Sequence, residues 1–283
     1  MTQLFTKNLI LALLVVFGFQ NSGFAQNKQI AITIDDLPFV GEYRNFHLKM
    51  LMNTMKEQEV PATGFIIARE VRPSNWSMLN TFRDEGFDLG NHTYSHANLN
   101  KIATKQFIHE IRRSDKLLAK VMTKPKYFRY PYLAMGTGYK KNEVLCYLEK
   151  KHYHVAPITI DSKDFAFNQR LLSVSEEKRR NYLTELKPFY LEFIWQQTKL
   201  AEERTAQNHN PDQAQILLIH ANLLNAYSLA DIIKLYKEND YTFIRLQDAL
   251  KTYKNEYHCI KNMKPPEQQV INNTSTESFV EWD

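Results

Sequence analysis

Two histidines four positions apart, His92 and His96 in the stretch Gly90-Asn91-His92-Thr93-Tyr94-Ser95-His96, can come to one side of a helical turn and share a metal ion. The same spacing is common among solvated surface histidines, so alone it carries little weight. A second constellation upstream adds to it. Asp35 and Asp36 close the run Ile30-Ala31-Ile32-Thr33-Ile34. A strand apolar at successive positions is buried on both faces, as in a parallel sheet, and such sheets gather their chemistry at the carboxyl ends of their strands. Two imidazoles and one carboxylate leave a coordination position for water, whose pKa the metal brings toward neutrality. Only one of the two aspartates is needed as ligand, which frees the other to act as general base while that water attacks a carbonyl. Later strand ends offer Arg129, the pair Asp161 and Asp164, and His220. Taken singly, the aspartates read as a turn, Arg129 as a surface ion pair worth ~1 kcal/mol or less, and His220 as a core histidine. Gathered at one rim, they read as a site.

The elements that must position these groups alternate between strand and helix. Apolar runs predict strands over residues 30–34, 61–67, 87–90, 126–129, 153–160, 216–220 and 241–244, each close to one of the polar groups or to a turn signal. Helical spacing fits residues 44–59, a second helix opened by Pro73 and Ser74 and ended by Gly86, a third with Thr104 as cap, a fourth over 142–151 and a last over 246–257. Ser228 and Asp231 resemble a capping box at the start of another. Residues 174–206 break the rhythm: helical, rich in Glu, Lys and Arg, and long for a crossover, they read as an inserted element near the rim that Pro188 kinks or splits. Phe189, Phe193 and Trp195 on it read as core. Such alternation implies right-handed βαβ units, and about seven strands with polar ends favour a barrel.

The chain of 283 residues, 43% hydrophobic and 24% charged, reads as one globular domain, with no interior linker to divide it. Lys7, the apolar run of residues 9–19 and Gly23-Phe24-Ala25 form a secretory leader cut after about Ala25. The run is too short to span a bilayer, so the mature chain is expected without a membrane anchor, secreted or periplasmic. A net charge of +5 without a basic block argues against a nucleic-acid partner. Cys146 and Cys259 would face an oxidising compartment, and the preferred expectation is two unpaired thiols. From residue 262 onward a polar tail is expected to be loosely ordered.

The succession Thr33-Ile34-Asp35-Asp36, His92-Thr93-Tyr94-Ser95-His96, Arg129-Tyr130-Pro131-Tyr132, Asp161-Ser162-Lys163-Asp164-Phe165 and Leu217-Leu218-Ile219-His220 resembles the five motifs of the polysaccharide deacetylases with a NodB-homology domain, carbohydrate esterase family four. The resemblance spans most of the mature domain, residues 26–261. It implies a distorted (β/α)7 barrel of the NodB-homology type, here with a helical segment inserted between strands five and six. It further implies metal-dependent hydrolysis of N-acetyl groups on an amino-sugar glycan, with peptidoglycan or a related envelope polymer as the first substrate. An O-acetyl esterase acting on xylan or another acetylated glycan is the alternative, and a non-catalytic carbohydrate-binding relative a third reading. By the same resemblance Asp36, His92 and His96 hold a divalent metal, Zn2+ first and Co2+, Ni2+ or Mn2+ as alternatives. Asp35 matches the base and Arg129 the residue that keeps it ionised and oriented. Tyr132 matches the backbone N–H donor to the oxyanion. His220 matches the acid, with Asp164 favoured over Asp161 as the residue that tunes it. Leu218, and Phe165 where relatives carry Trp, match the substrate pocket. Leu37-Pro38 after the ligand and Ala221 after His220 also depart from the family pattern.

Overall fold

The sheet is organised around β1 (Lys28–Leu37), which pairs in parallel with three other strands. Its period of two divides the apolar run seen in sequence. Ile30, Ile32 and Ile34 face the covering helices, whereas Ala31, Thr33 and Asp35 line the interior. The inward row thus grows more polar toward the carboxyl end, where a site is expected. The computed structural model describes residues 28–38, 44–254 and 257–263, with residues 44 and 45 described through their backbone alone. The expected leader, and all but residues 262 and 263 of the expected polar tail, lie outside them.

Around β1 stand β2 (Ala62–Ile66), β3 (Asp88–Asn91), β4 (Lys126–Phe128), β5 (Tyr153–Val155), β6 (Ile160–Asp161), β7 (Gln215–His220) and β8 (Tyr241–Phe243). Every strand pairing is parallel, in the order β5-β4-β3-β2-β1-β7-β6, with β8 beside the start of β1. The result is a curled, barrel-like sheet surrounded by helices, as the resemblance implies.

One expected strand is not a single strand. Residues 153–161 divide into β5, paired with β4, and β6, paired with β7, so consecutive segments lie at opposite edges of the sheet. The break falls around Pro157, which has no N–H to give to a ladder. Ala156 N–H still donates to the Phe128 carbonyl, and Thr159 N–H already donates to Ile216 on the far side. The chain thus bridges the seam of the barrel here instead of extending one strand.

The helices are α1 (Arg44–Glu57), α2 (Trp76–Asp84), α3 (Thr104–Leu118), α4 (Gly138–Lys150), α5 (Asp164–Ser173), α6 (Glu176–Gln207), α7 (Leu223–Lys237) and α8 (Leu246–Lys251). Thr104 is the first helical residue of α3, with Ala103 as its cap. Ser228 lies buried inside α7, which starts five residues earlier with Asn222 as its true cap: the Asn222 side chain accepts from Asn225 N–H at 2.9 Å.

The segment expected as a rim insertion is α6, continuous through Pro188 and part of the main wall. Leu186, Tyr190, Ile194 and Ala201 on it join the principal core cluster. Phe189, expected in the core, is 72% exposed.

The two cysteines are paired, contrary to expectation. Cys146 on α4 and Cys259 approach to 4.5 Å between Cα atoms and form a disulfide across 113 residues of sequence. No helix among the described residues is long and apolar enough to cross a membrane.

Candidate active site

β1 and β7 run in register, with Thr33 opposite Leu218 and Asp35 opposite His220. Two groups 185 positions apart in sequence therefore meet at the end of one strand pair. Asp35 is 4% exposed and lies within the sheet's mouth. Arg129, fully buried just after β4, places Nη1 3.4 Å from both Asp35 oxygens. Its Nη2 donates to Thr33 Oγ1 at 3.0 Å and to the Pro157 carbonyl at 3.4 Å, and Thr33 in turn donates to Leu217 O. Burial pulls the Arg129 pKa down, and the Asp35 carboxylate opposes it. The Phe65 ring, 4.7 Å from the guanidinium, packs so tightly on Gly90 that a Cβ there would meet it at 2.6 Å. A glycine is needed at that point of β3 for close approach.

Asp36 turns away from Asp35 through left-handed backbone, φ 64°. Its Oδ1 faces His96 Nε2 at 3.2 Å and His92 Nε2 at 3.4 Å, and the candidate ligand atoms of the three residues all lie within 4.8 Å of one another. The two imidazoles do not share a helical turn, however. Residues 92–99 form a loop in which Thr93 and His96 have φ of 67° and 60°. Local hydrogen bonds hold that loop in place: Thr93 N–H donates to Asn91 Oδ1, Ala97 N–H to Thr93 Oγ1, and both Ser95 N–H and Oγ donate to Glu110 Oε2 on α3 at 2.7 Å.

Two observations fit this donor set to a divalent metal. Asp36 Oδ1 is buried without a hydrogen-bond partner. His92 Nδ1 lies 2.8 Å from the Arg129 carbonyl, which can only accept, so Nδ1 carries the proton and Nε2 turns its lone pair toward Asp36. Burial pushes the Asp36 carboxyl up, but His92, His220 and His96 outweigh it and hold it at about 2. Burial and the neighbouring His92 bring His96 down to about 4 against the pull of Asp36 and Asp35.

His220 closes the far side, with Nε2 3.8 Å from Asp36 Oδ2. Its Nδ1 pairs with Asp164 Oδ1 at 2.7 Å, and its own N–H donates to Asp164 Oδ2 at 2.6 Å. Burial lowers the His220 pKa, yet the charge and hydrogen bond of Asp164, with Asp36 and Asp35 behind them, raise it to about 10. Asp161, the other candidate for this place, instead accepts from Lys163.

Tyr132, 65% exposed, sets its ring 4.4 Å from that of His96 and tilted by 52°, on a segment turned back by left-handed backbone at Tyr132 and Leu133. Leu218 is buried two residues before His220 on the same inward face. Phe165 is 57% exposed beside Asp164 at the start of α5. Sequence reasoning did not single out Thr33, Asn222 or Asn225, which hydrogen-bond Arg129 or Asp164, nor Asn91 and Glu110, whose side chains hold the loop of residues 92–99. The signal of Asn222 was legible, since Asn before an apolar helical run is a capping pattern.

Residues 23–155 match the polysaccharide deacetylase family. A chitin deacetylase of Colletotrichum lindemuthianum is 29% identical over 161 residues, covering 55% of this chain and 60% of the relative. A peptidoglycan-N-acetylglucosamine deacetylase of Bacillus cereus is 29% identical over 117 residues, 41% of this chain and 40% of the relative. The chain thus spans between two fifths and three fifths of the length of these curated relatives. A solved peptidoglycan deacetylase from Bacillus subtilis superposes with a TM-score of 0.55 at 21% identity, over 80% of this chain and 91% of its own. A CE4 family pseudoenzyme from Bacillus anthracis superposes with the same TM-score at 17% identity, over 80% and 66%. At such identities the structural likeness is one of fold. The family match covers 133 of 283 residues, just under half of the chain, and over that stretch the chain is similar to the polysaccharide deacetylases.

Proposed function

We propose that the chain is an exported, metal-dependent hydrolase that removes N-acetyl groups from an amino-sugar glycan, with peptidoglycan or a related envelope polymer as its first substrate. The observation that carries this reading is the register of Asp35 and His220 across β1 and β7, a candidate base and a candidate acid flanking the Asp36, His92 and His96 donor set. A divalent ion held by those three, Zn2+ first and Co2+, Ni2+ or Mn2+ as alternatives, would polarise the acetyl carbonyl and lower the pKa of a bound water. Asp35, oriented by Arg129, takes a proton from the water whose oxygen adds to the acetyl carbon. The backbone N–H of Tyr132 faces the oxyanion, and Leu218 and Phe165 flank the acetyl group and the sugar. As the C–N bond breaks, His220 gives its proton to the departing nitrogen, so acetate and a free amine leave. The disulfide fits an oxidising compartment, in line with an N-terminal leader.

The test is acetate and amine release from N-acetylated chitooligosaccharide and from peptidoglycan, before chelation, after it, and after metal is restored. Activity lost on chelation and regained with metal, with one new amine per acetate, is the expected result. Acetate without amine, from an acetylated xylan, would establish the esterase reading instead. No acetate from any substrate, with glycan binding untouched by Asp35→Asn, would make the chain a binding relative.

A further inference from the structure

Asp164 Oδ1 pairs with His220 Nδ1, and the other oxygen is the more crowded. Asp164 Oδ2 accepts from His220 N–H, from Asn222 Nδ2 at 3.0 Å and from Asn225 Nδ2. Asn225 is completely buried in the first turn of α7 and uses its whole amide. Its Nδ2 also donates to the His220 carbonyl at 2.9 Å, and its Oδ1 accepts from the hydroxyl of Tyr190, a completely buried residue on α6, at 2.7 Å.

That last bond anchors the amide from the side opposite the carboxylate. With the Tyr190 hydroxyl in place, Oδ1 faces a donor and Nδ2 faces two acceptors. Without it, Oδ1 is left buried and unpaired, and the amide that holds Asp164 Oδ2 loses its anchor on α6. A carboxylate saturated on Oδ2 has its plane fixed, so Oδ1 holds the Nδ1 proton of His220 and Nε2 is left to face the site.

We propose that Tyr190 and Asn225 are positioning residues for the acid, fixing the Asp164 carboxylate so that His220 presents Nε2 to the leaving group. The inference rests on the role given to His220 above. It also gives α6 a part beyond covering the sheet, because its Tyr190 hydroxyl reaches the acid through a single side chain.

The test separates acid delivery from general loosening by changing the leaving group. An amide releases an amine that must be protonated as the C–N bond breaks, whereas 4-nitrophenyl acetate releases a stable phenolate that needs no proton. Because a positioned acid is worth about 10²–10⁴ in rate, Tyr190→Phe and Asn225→Ala are each expected to lower kcat on an N-acetylated chitooligosaccharide about tenfold or more, with KM little changed. The ratio of amide to ester kcat should fall at least about fivefold in the full-length, metal-loaded protein. A ratio that stays at the wild-type value while both rates drop would assign the pair to stability alone and overturn the inference.

A second readout needs no turnover. The Nδ1 proton of His220, held by a carboxylate, should give a downfield proton NMR resonance, identified by its loss in His220→Ala. Tyr190→Phe is expected to shift or broaden it, and a resonance unmoved in both variants overturns the inference. If the wild-type chain hydrolyses neither substrate, the proposed function falls, and the resonance still decides the positioning role.

Discussion

Asp35 and Asp36 are adjacent in sequence and face different partners. The period of β1 sends Asp35 inward to Arg129, and the left-handed backbone at Asp36 swings the next carboxylate toward two imidazoles. The sequence reading placed both at a strand end, but which is ligand and which is base rested on the resemblance, because a single positive φ leaves no mark in residue type. The division predicts opposite outcomes for the two substitutions. Asp36→Ala should abolish retention of metal after dialysis, whereas Asp35→Asn should keep the metal and lower kcat by about 10²–10⁴. Metal analysis and acetate release on the two proteins check it. His220 makes a prediction with a sign. Asp164 is the main group raising its pKa to about 10, so Asp164→Asn lowers that value and the imidazolium is lost at lower pH. The alkaline limb of the kcat profile should therefore move toward neutrality. An unmoved limb would show that the limb belongs to another group.

At the scale of elements, the loop of residues 92–99 is what the spacing of two histidines could not reveal. A helical turn would have brought them together without strain. The chain instead uses left-handed backbone at Thr93 and His96, positions costing of order 1–3 kcal/mol each, and holds them with the Asn91 and Glu110 side chains. Such a geometry is kept only where its surroundings over-determine it, so Glu110→Ala should weaken metal binding by about tenfold although Glu110 is no ligand. Titration of metal into the stripped protein measures this. An affinity equal to wild type would mean that the loop holds its shape without α3. The strand at residues 153–161 teaches a related lesson. The expected strand ran straight through Pro157, although the apolar pattern on both sides of it was right. That the two halves pair at opposite edges of the sheet depends on barrel curvature, which local sequence does not encode. α6 lies in sequence where a helical segment was expected, but its packing was hidden for the opposite reason: its charged outer face dominates the composition, while Leu186, Tyr190 and Ile194, which bury it, are sparse.

Over the whole molecule, the alternation of strand and helix was enough to indicate a parallel barrel, because only a sheet covered on its outer side buries so many apolar strands. The disulfide was not legible, since pairing depends on the distance between Cys146 on α4 and a residue beyond α8. Closing a loop of that size should contribute about 2–4 kcal/mol, so Cys259→Ser is expected to lower the urea midpoint while acetate release is retained. The site itself should also shape stability against pH in the metal-stripped protein. His96 is depressed to about 4 from 6.5, and Asp36 to about 2 from 3.8. The unfolded chain therefore takes up protons first on both, and stability falls as pH drops from 6.5 toward 2. His220 is raised from 6.5 to about 10, so its contribution is complete below 6.5 and is lost as pH rises toward 10. The three groups together place a maximum near pH 6.5, and Asp164→Asn should flatten the alkaline side alone. Urea unfolding of the stripped wild type and of that variant from pH 4 to 10 decides the matter: an alkaline slope that survives the substitution would sever His220 from the stability of the fold.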